Sequence, residues 1–113
     1  MRKIEHLGIA VKDIEAATKT YEALLGKSAY QSEEVEREGV KTVFFKTGES
    51  KIELLGATRA DSPIAKYLDK RGEGIHHIAF DVEDIDAEIE RLTSEGFQLI
   101  SYEPKPGADH KRI

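Results

Sequence analysis

The sequence predicts an α+β fold made of two related modules, β-α-β-β-β followed by β-α-β. Three observations carry this reading. Residues 4–16 return as residues 75–87 at a constant offset of 71, with Ile4/Ile75, His6/His77, Val11/Val82, Asp13/Asp84, Ile14/Ile85 and Ala16/Ala87 identical. Each copy runs from a period-two pattern, the mark of a strand with two unlike faces, into a helical stripe opened by an aspartate. No Pro-, Gly- or Ser-rich linker divides the 113 residues, a length that suits one compact domain. The expected division is a single domain over 1–113, with residues 1–70 as the first module and its connecting helix and 71–113 as an incomplete second module. Two copies of so long a unit exclude a solenoid, which stacks at least three short ones.

The elements follow in order. Over 4–11, Leu7, Ile9 and Val11 share one face of a strand and Ile4, His6, Gly8 and Ala10 the other. Asp13 is a good N-cap and Glu15 places negative charge in the first turn of a helix. Ile14, Ala17, Tyr21, Leu24 and Leu25 form its stripe, and Gly26 stops it. A weak strand over 29–35 precedes two stronger ones at 40–46 and 50–55, joined by Thr47-Gly48-Glu49. The charge run over 33–38 reads as a solvated edge strand and turn. Ser62-Pro63 reads as N-cap and first helical residue of a short helix through Lys70. Arg71-Gly72-Glu73-Gly74 then links the modules. In the second copy Ile78, Phe80 and Val82 form the bulky face, expected to pack under the next helix; Ile75, His77, Ala79 and Asp81 form the other. Asp84 caps that helix, with Ile85, Ile89 and Leu92 as its stripe and Gly96 as its stop. A strand is expected over 97–102 and a loop over 104–109.

Bulk chemistry narrows the function. Charged residues make up 35% and the net charge is −5, which argues against non-specific nucleic-acid binding. There is no cysteine, so neither disulfides nor thiolate chemistry arise, and a cytoplasmic address is expected. No apolar run approaches the ~20 residues of a membrane span. The amino terminus runs straight into a strand pattern, leaving no room for a signal peptide.

The chemistry-bearing residues are His6, Glu53 and His77. A lone strand histidine is more often structural than a ligand. Two at repeat-equivalent positions, both among small residues, reverse that bet, since neutral imidazole is the commonest metal-binding side chain. In Lys51-Ile52-Glu53-Leu54-Leu55 the alternation points Glu53 away from Ile52 and Leu54. A carboxylate on such a sheet is costly to bury unless paired or coordinating. Two nitrogens and one oxygen suit zinc, cobalt, nickel, manganese or iron without choosing among them. His76 faces away from His77 and reads as structural, and His110 reads as surface. The glycines around 72–74 precede a strand and not a helix, so they make no phosphate-binding loop.

At these residues the chain resembles the vicinal-oxygen-chelate superfamily, the glyoxalase and bleomycin-resistance-like proteins. Its general pattern is the pair of units beginning at Ile4-Glu5-His6 and Ile75-His76-His77. Residues 51–55, 61–68, 72–80 and 103–107 are similar to the methylmalonyl-CoA epimerase family within it. The resemblance implies paired βαβββ modules whose mixed sheets curl around a metal cavity. It implies a divalent ion, an acyl-CoA substrate, a homodimer, and interconversion of (R)- and (S)-methylmalonyl-CoA through an enolate. It places the first three family ligands at His6, Glu53 and His77. Two departures accompany it. The family's fourth ligand, a glutamate on a final strand, falls about thirty residues downstream, past Ile113, so the second module reads as cut and this chain by itself is expected to be poorly active. Thr42 stands where many relatives carry a glutamate base, and it cannot act as a base near neutral pH, which leaves the catalytic acid and base unassigned. Lys66, Lys70, Arg71, Lys105 and Lys111 are candidates for CoA phosphates, none singled out. Alternative readings are another metal-dependent superfamily enzyme, a lyase or dioxygenase, or a binding-only domain.

Overall fold

The computed structural model describes residues 1–107 and 112–113. Five strands and three α-helices follow in the order β1 (Lys3–Ala10), α1 (Ile14–Leu25), β2 (Gln31–Val35), a 3-10 turn (Glu36–Glu38), β3 (Val40–Thr47), β4 (Ser50–Ala57), α2 (Pro63–Arg71), β5 (Gly74–Asp81) and α3 (Ile85–Ser94). The fold is α+β. The chain divides into two compact units, one of residues 4–80 and one of residues 1–3 with 81–113.

The strands form one mixed sheet in the order β2-β3-β4-β1-β5. β1 runs parallel to β4, while β2–β3 and β3–β4 are antiparallel. β5 is hydrogen-bonded beside β1, and the His6 and His77 rings meet across the two strands. The repeat-equivalent strands are thus direct neighbours, and the offset of 71 brings His6 against His77.

The sheet is buried on both faces at its centre. On one face Val11, Val43, Phe45 and Leu54 pack with Ile14, Ala17, Tyr21 and Leu25 of α1. On the other, Ala10, Val40, Leu55 and Ile64 pack with Tyr67 and Leu68 of α2. Each fully buried Phe or Leu contributes roughly 1.5–3 kcal/mol. The expected caps form: Asp13 accepts from Ala16 N, Ser62 from Ala65 N and Asp84 from Ala87 N, each helix thereby satisfying an otherwise orphaned donor. Gly26 ends α1 in the left-handed conformation at φ 71°. The charge run over 33–38 forms the edge strand β2 and the 3-10 turn, with Glu34, Glu36, Arg37 and Glu38 exposed.

Three expectations need correction. Leu24 is 72% exposed and lies off the α1 stripe. Ile78 and Phe80 stay about half exposed, because β5 is an edge strand with one neighbour. The strand expected over 97–102 does not form; Phe97, Ile100 and Tyr102 are exposed coil. A strand needs a hydrogen-bonding partner, and in the first module β2 finds it in the strand that follows. Among the described residues no helix is long and apolar enough to cross a membrane.

Candidate metal centre

The centre is built on the sheet face that α2 partly covers. Alternation along β1 sets His6, Gly8 and Ala10 on this face. The β1–β4 register places Gly8 beside Glu53, and the β3–β4 register places Phe44 on its other side. β5 supplies His77 from the flank of β1. His6 Nε2 lies 2.9 Å from His77 Nε2 and 3.3 Å from Glu53 Oε2. The three donor atoms all lie within 4.8 Å of one another, with Glu53 buried and both imidazoles half-buried. The rings meet edge to face at 89°, centroids 5.0 Å apart.

Gly8 makes this convergence possible. A Cβ built on it would overlap the His77 ring, standing 2.6 Å from Nε2. The small residue leaves room for the second imidazole itself, which lies almost on the β1 backbone.

The electrostatics favour ligation. His77 is pushed down to about 4 by burial first, then by the charges of His6 and His76, so its ring is neutral at physiological pH with a lone pair to give. Burial would raise the Glu5 carboxyl, but hydrogen bonds to His6 and Lys51 and the Lys51 charge outweigh it and hold it below the usual range. The donor set fits a divalent cation. Ligand atoms at about 2.0–2.2 Å from a common ion stand about 2.8–3.6 Å apart for angles between 90° and tetrahedral, a range that holds the His6–His77 and His6–Glu53 separations. His6, Glu53 and His77 are the residues that would hold it.

Two residues that sequence reasoning left unassigned join them. Glu5 Oε1 lies 2.9 Å from His6 Nδ1, and its Oε2 lies 3.0 Å from Lys51 Nζ. His76 is exposed, but it does not face away from His77 as the alternation suggests. Its ring packs edge-on to Tyr67 of α2 at 4.8 Å, and its Nδ1 lies 2.9 Å from His77 Nδ1. It thus supports His77 from outside while leaning on a helix. The only advance signal for Glu5 was its place beside a histidine.

The remaining candidates stand apart. Thr42 is 3% exposed and pairs in register with Leu55, two positions along from the Glu53–Phe44 pair and on the same face. A buried hydroxyl is no base. Lys66, Lys70 and Arg71 are exposed on α2, and Lys105 is exposed with its backbone paired to Ile113. His110 and Lys111 lie outside the described residues.

With this geometry in hand, comparison with known proteins is informative. Residues 5–113 match the glyoxalase/bleomycin resistance protein/dioxygenase superfamily model. An uncharacterised protein of Bacillus subtilis is 39% identical over all of this chain and 81% of its own length. The ethylmalonyl-CoA/methylmalonyl-CoA epimerase of Cereibacter sphaeroides is 40% identical over 98% of this chain and 84% of that protein. A structure of Streptomyces coelicolor methylmalonyl-CoA epimerase in complex with 2-nitronate-propionyl-CoA superposes with a TM-score of 0.89 at 36% identity, covering 99% of this chain and 82% of that one. A repeated strand-helix unit, two apposed histidines and near full-length likeness agree, and the chain belongs to the glyoxalase/bleomycin resistance/dioxygenase superfamily, with methylmalonyl-CoA epimerases among its relatives.

Proposed function

We propose that this chain is a metal-dependent epimerase that interconverts (R)- and (S)-methylmalonyl-CoA through an enolate. The observation that carries the reading is the convergence of His6, Glu53 and His77 donor atoms within 4.8 Å on one sheet face. Likeness to named epimerases at 36–40% identity supports the substrate class. The cation is one of cobalt, manganese, nickel or zinc, all compatible with two imidazoles and a carboxylate.

Epimerisation removes the proton between a thioester carbonyl and a carboxylate and returns it to the opposite face. A bound divalent cation supplies Lewis-acid stabilisation of the negative charge that develops, worth several kcal/mol. The protein's part is to present three preset donors on a rigid sheet. Gly8 keeps β1 clear of the His77 ring, and the flanking Phe44, 2% exposed, excludes water from the Glu53 side. Thr42 transfers no proton in this scheme. The same reading takes residues 1–70 and 71–113 as two modules of one domain, a homodimeric assembly, an acyl-CoA partner with no role for nucleic acid, and a cytoplasmic address.

The test is to incubate the protein and a divalent salt with one methylmalonyl-CoA epimer in deuterated water. Deuterium is expected at the α-carbon, together with the opposite epimer. No exchange with any of the four metals would sink the proposal.

A further inference from the structure

We propose that Glu5 is a positioning residue for this centre: its carboxylate takes the Nδ1 hydrogen of His6, fixes that ring's tautomer and rotation, and thereby turns the Nε2 lone pair toward Glu53 and His77. Lys51 holds the carboxylate in place. The inference rests on reading His6, Glu53 and His77 as a cation site.

The argument is one of donors and acceptors. Glu5 uses both oxygens, Oε1 toward His6 Nδ1 at 2.9 Å and Oε2 toward Lys51 Nζ at 3.0 Å. The Glu5 and Lys51 side chains are 12% and 16% exposed, so this is an interior arrangement and not a solvated surface pair. A carboxylate only accepts. His6 has a carboxylate at each nitrogen, and Glu5 stands nearer to Nδ1, at 2.9 Å, than Glu53 stands to Nε2, at 3.3 Å; the closer contact assigns the hydrogen to Nδ1, and in a neutral ring the other nitrogen is bare. That other nitrogen is Nε2, which faces the two remaining donor groups at 2.9 and 3.3 Å. A carboxylate behind a ligating histidine also raises its basicity, and loss of such a partner typically costs 10–100-fold in metal affinity.

The two imidazoles are supported differently. His77 Nδ1 meets the ring of His76, a neighbour able to donate or accept. Its tautomer is free to follow whatever Nε2 meets. His6 has no such freedom, because Glu5 cannot donate. His6 is thus the preset ligand of the pair and His77 the adaptable one. The parallel register that sets Lys51 beside His6 brings the holding charge from β4.

Two measurements test this. Long-range 15N–1H correlation spectra of the metal-free protein are expected to show His6 as the Nδ1–H tautomer, and Glu5→Met, similar in length but without an acceptor, is expected to lose that preference. Cobalt(II) titrations followed by absorption are expected to show affinity lowered 10–100-fold in Glu5→Met, and partly recovered in Glu5→Gln, whose amide oxygen still accepts. Wild-type protein showing His6 as Nε2–H overturns the proposal, and needs no variant to fold. Glu5→Met binding cobalt as tightly as wild type also overturns it. Wild type that binds no cobalt while His6 remains Nδ1–H in a Glu5-dependent way defeats the cation site and leaves the role of Glu5 in setting the tautomer standing.

Discussion

At the residue scale, close packing decides what the centre tolerates. Gly8 has no Cβ because the His77 ring occupies that space. Gly8→Ala is therefore expected to push the ring off β1, with about 1–3 kcal/mol of overpacking strain and a weakening of cobalt affinity by at least roughly tenfold, one such step being 1.4 kcal/mol. Unchanged affinity in a folded Gly8→Ala protein would refute the packing account. Protonation gives a second handle. The His77 ring is depressed to about 4 in the folded chain from an ordinary 6.5. Above 6.5 it is neutral folded and unfolded alike. Between 6.5 and about 4 only the unfolded chain takes up the proton, so stability falls as pH falls, and the loss is complete below about 4. The loss is at most about 3 kcal/mol, less whatever water screens at a half-buried ring. Urea unfolding of chelator-treated protein at pH 7 and pH 5 should show it, and His77→Ala should flatten the slope. The identity of the two imidazoles was legible in the sequence from their recurrence at 71 residues. Glu5 was not, because nothing along a chain says that the side chain at i will bend toward the one at i+1.

At the element scale, each helix opens on an acid or hydroxyl that meets a backbone N–H three residues on. Asp13→Ala removes the acceptor of Ala16 N and is expected to cost about 1 kcal/mol; an unchanged thermal unfolding midpoint would contradict the cap. β4 carries an unbroken buried run from Glu53 to Gly56. Leu54, fully buried opposite α1, is expected to cost about 2–5 kcal/mol when cut to Ala, measured as a fall in the denaturant midpoint at constant m-value. Those helices and the five strands were readable, β2 only weakly, because caps and periodicity are local properties. The strand expected over 97–102 was misread for the complementary reason. Its composition is strand-like, but a strand exists only when a neighbour takes its hydrogen bonds, and composition does not report the neighbour.

At the scale of the whole molecule, the sheet order β2-β3-β4-β1-β5 converts a repeat in sequence into a pairing in space. Apposition of β1 and β5 makes the two histidines mutual neighbours, and β4 adds the acid. A cation bound there would tie β1, β4 and β5 together and would bind only the folded chain. It should stabilise by RT ln(1 + [L]/Kd), about 2.7 kcal/mol at a hundredfold excess over Kd. Cobalt or manganese is accordingly expected to raise the unfolding temperature, a chelator to reverse the rise, and His6→Ala to abolish it; a rise that survives His6→Ala would place the ion elsewhere. By itself the sequence determined the strand-helix units, their caps, the faces on which the two histidines lie and the turn of Glu53 away from Ile52 and Leu54, since all of these follow from spacing along the chain. Only the tertiary structure decided that His77 fills the space over Gly8, that Glu5 and Lys51 stand behind His6, and that Thr42 lies buried beside Leu55. Those relations depend on strand order and register, which are fixed by packing between residues distant along the chain.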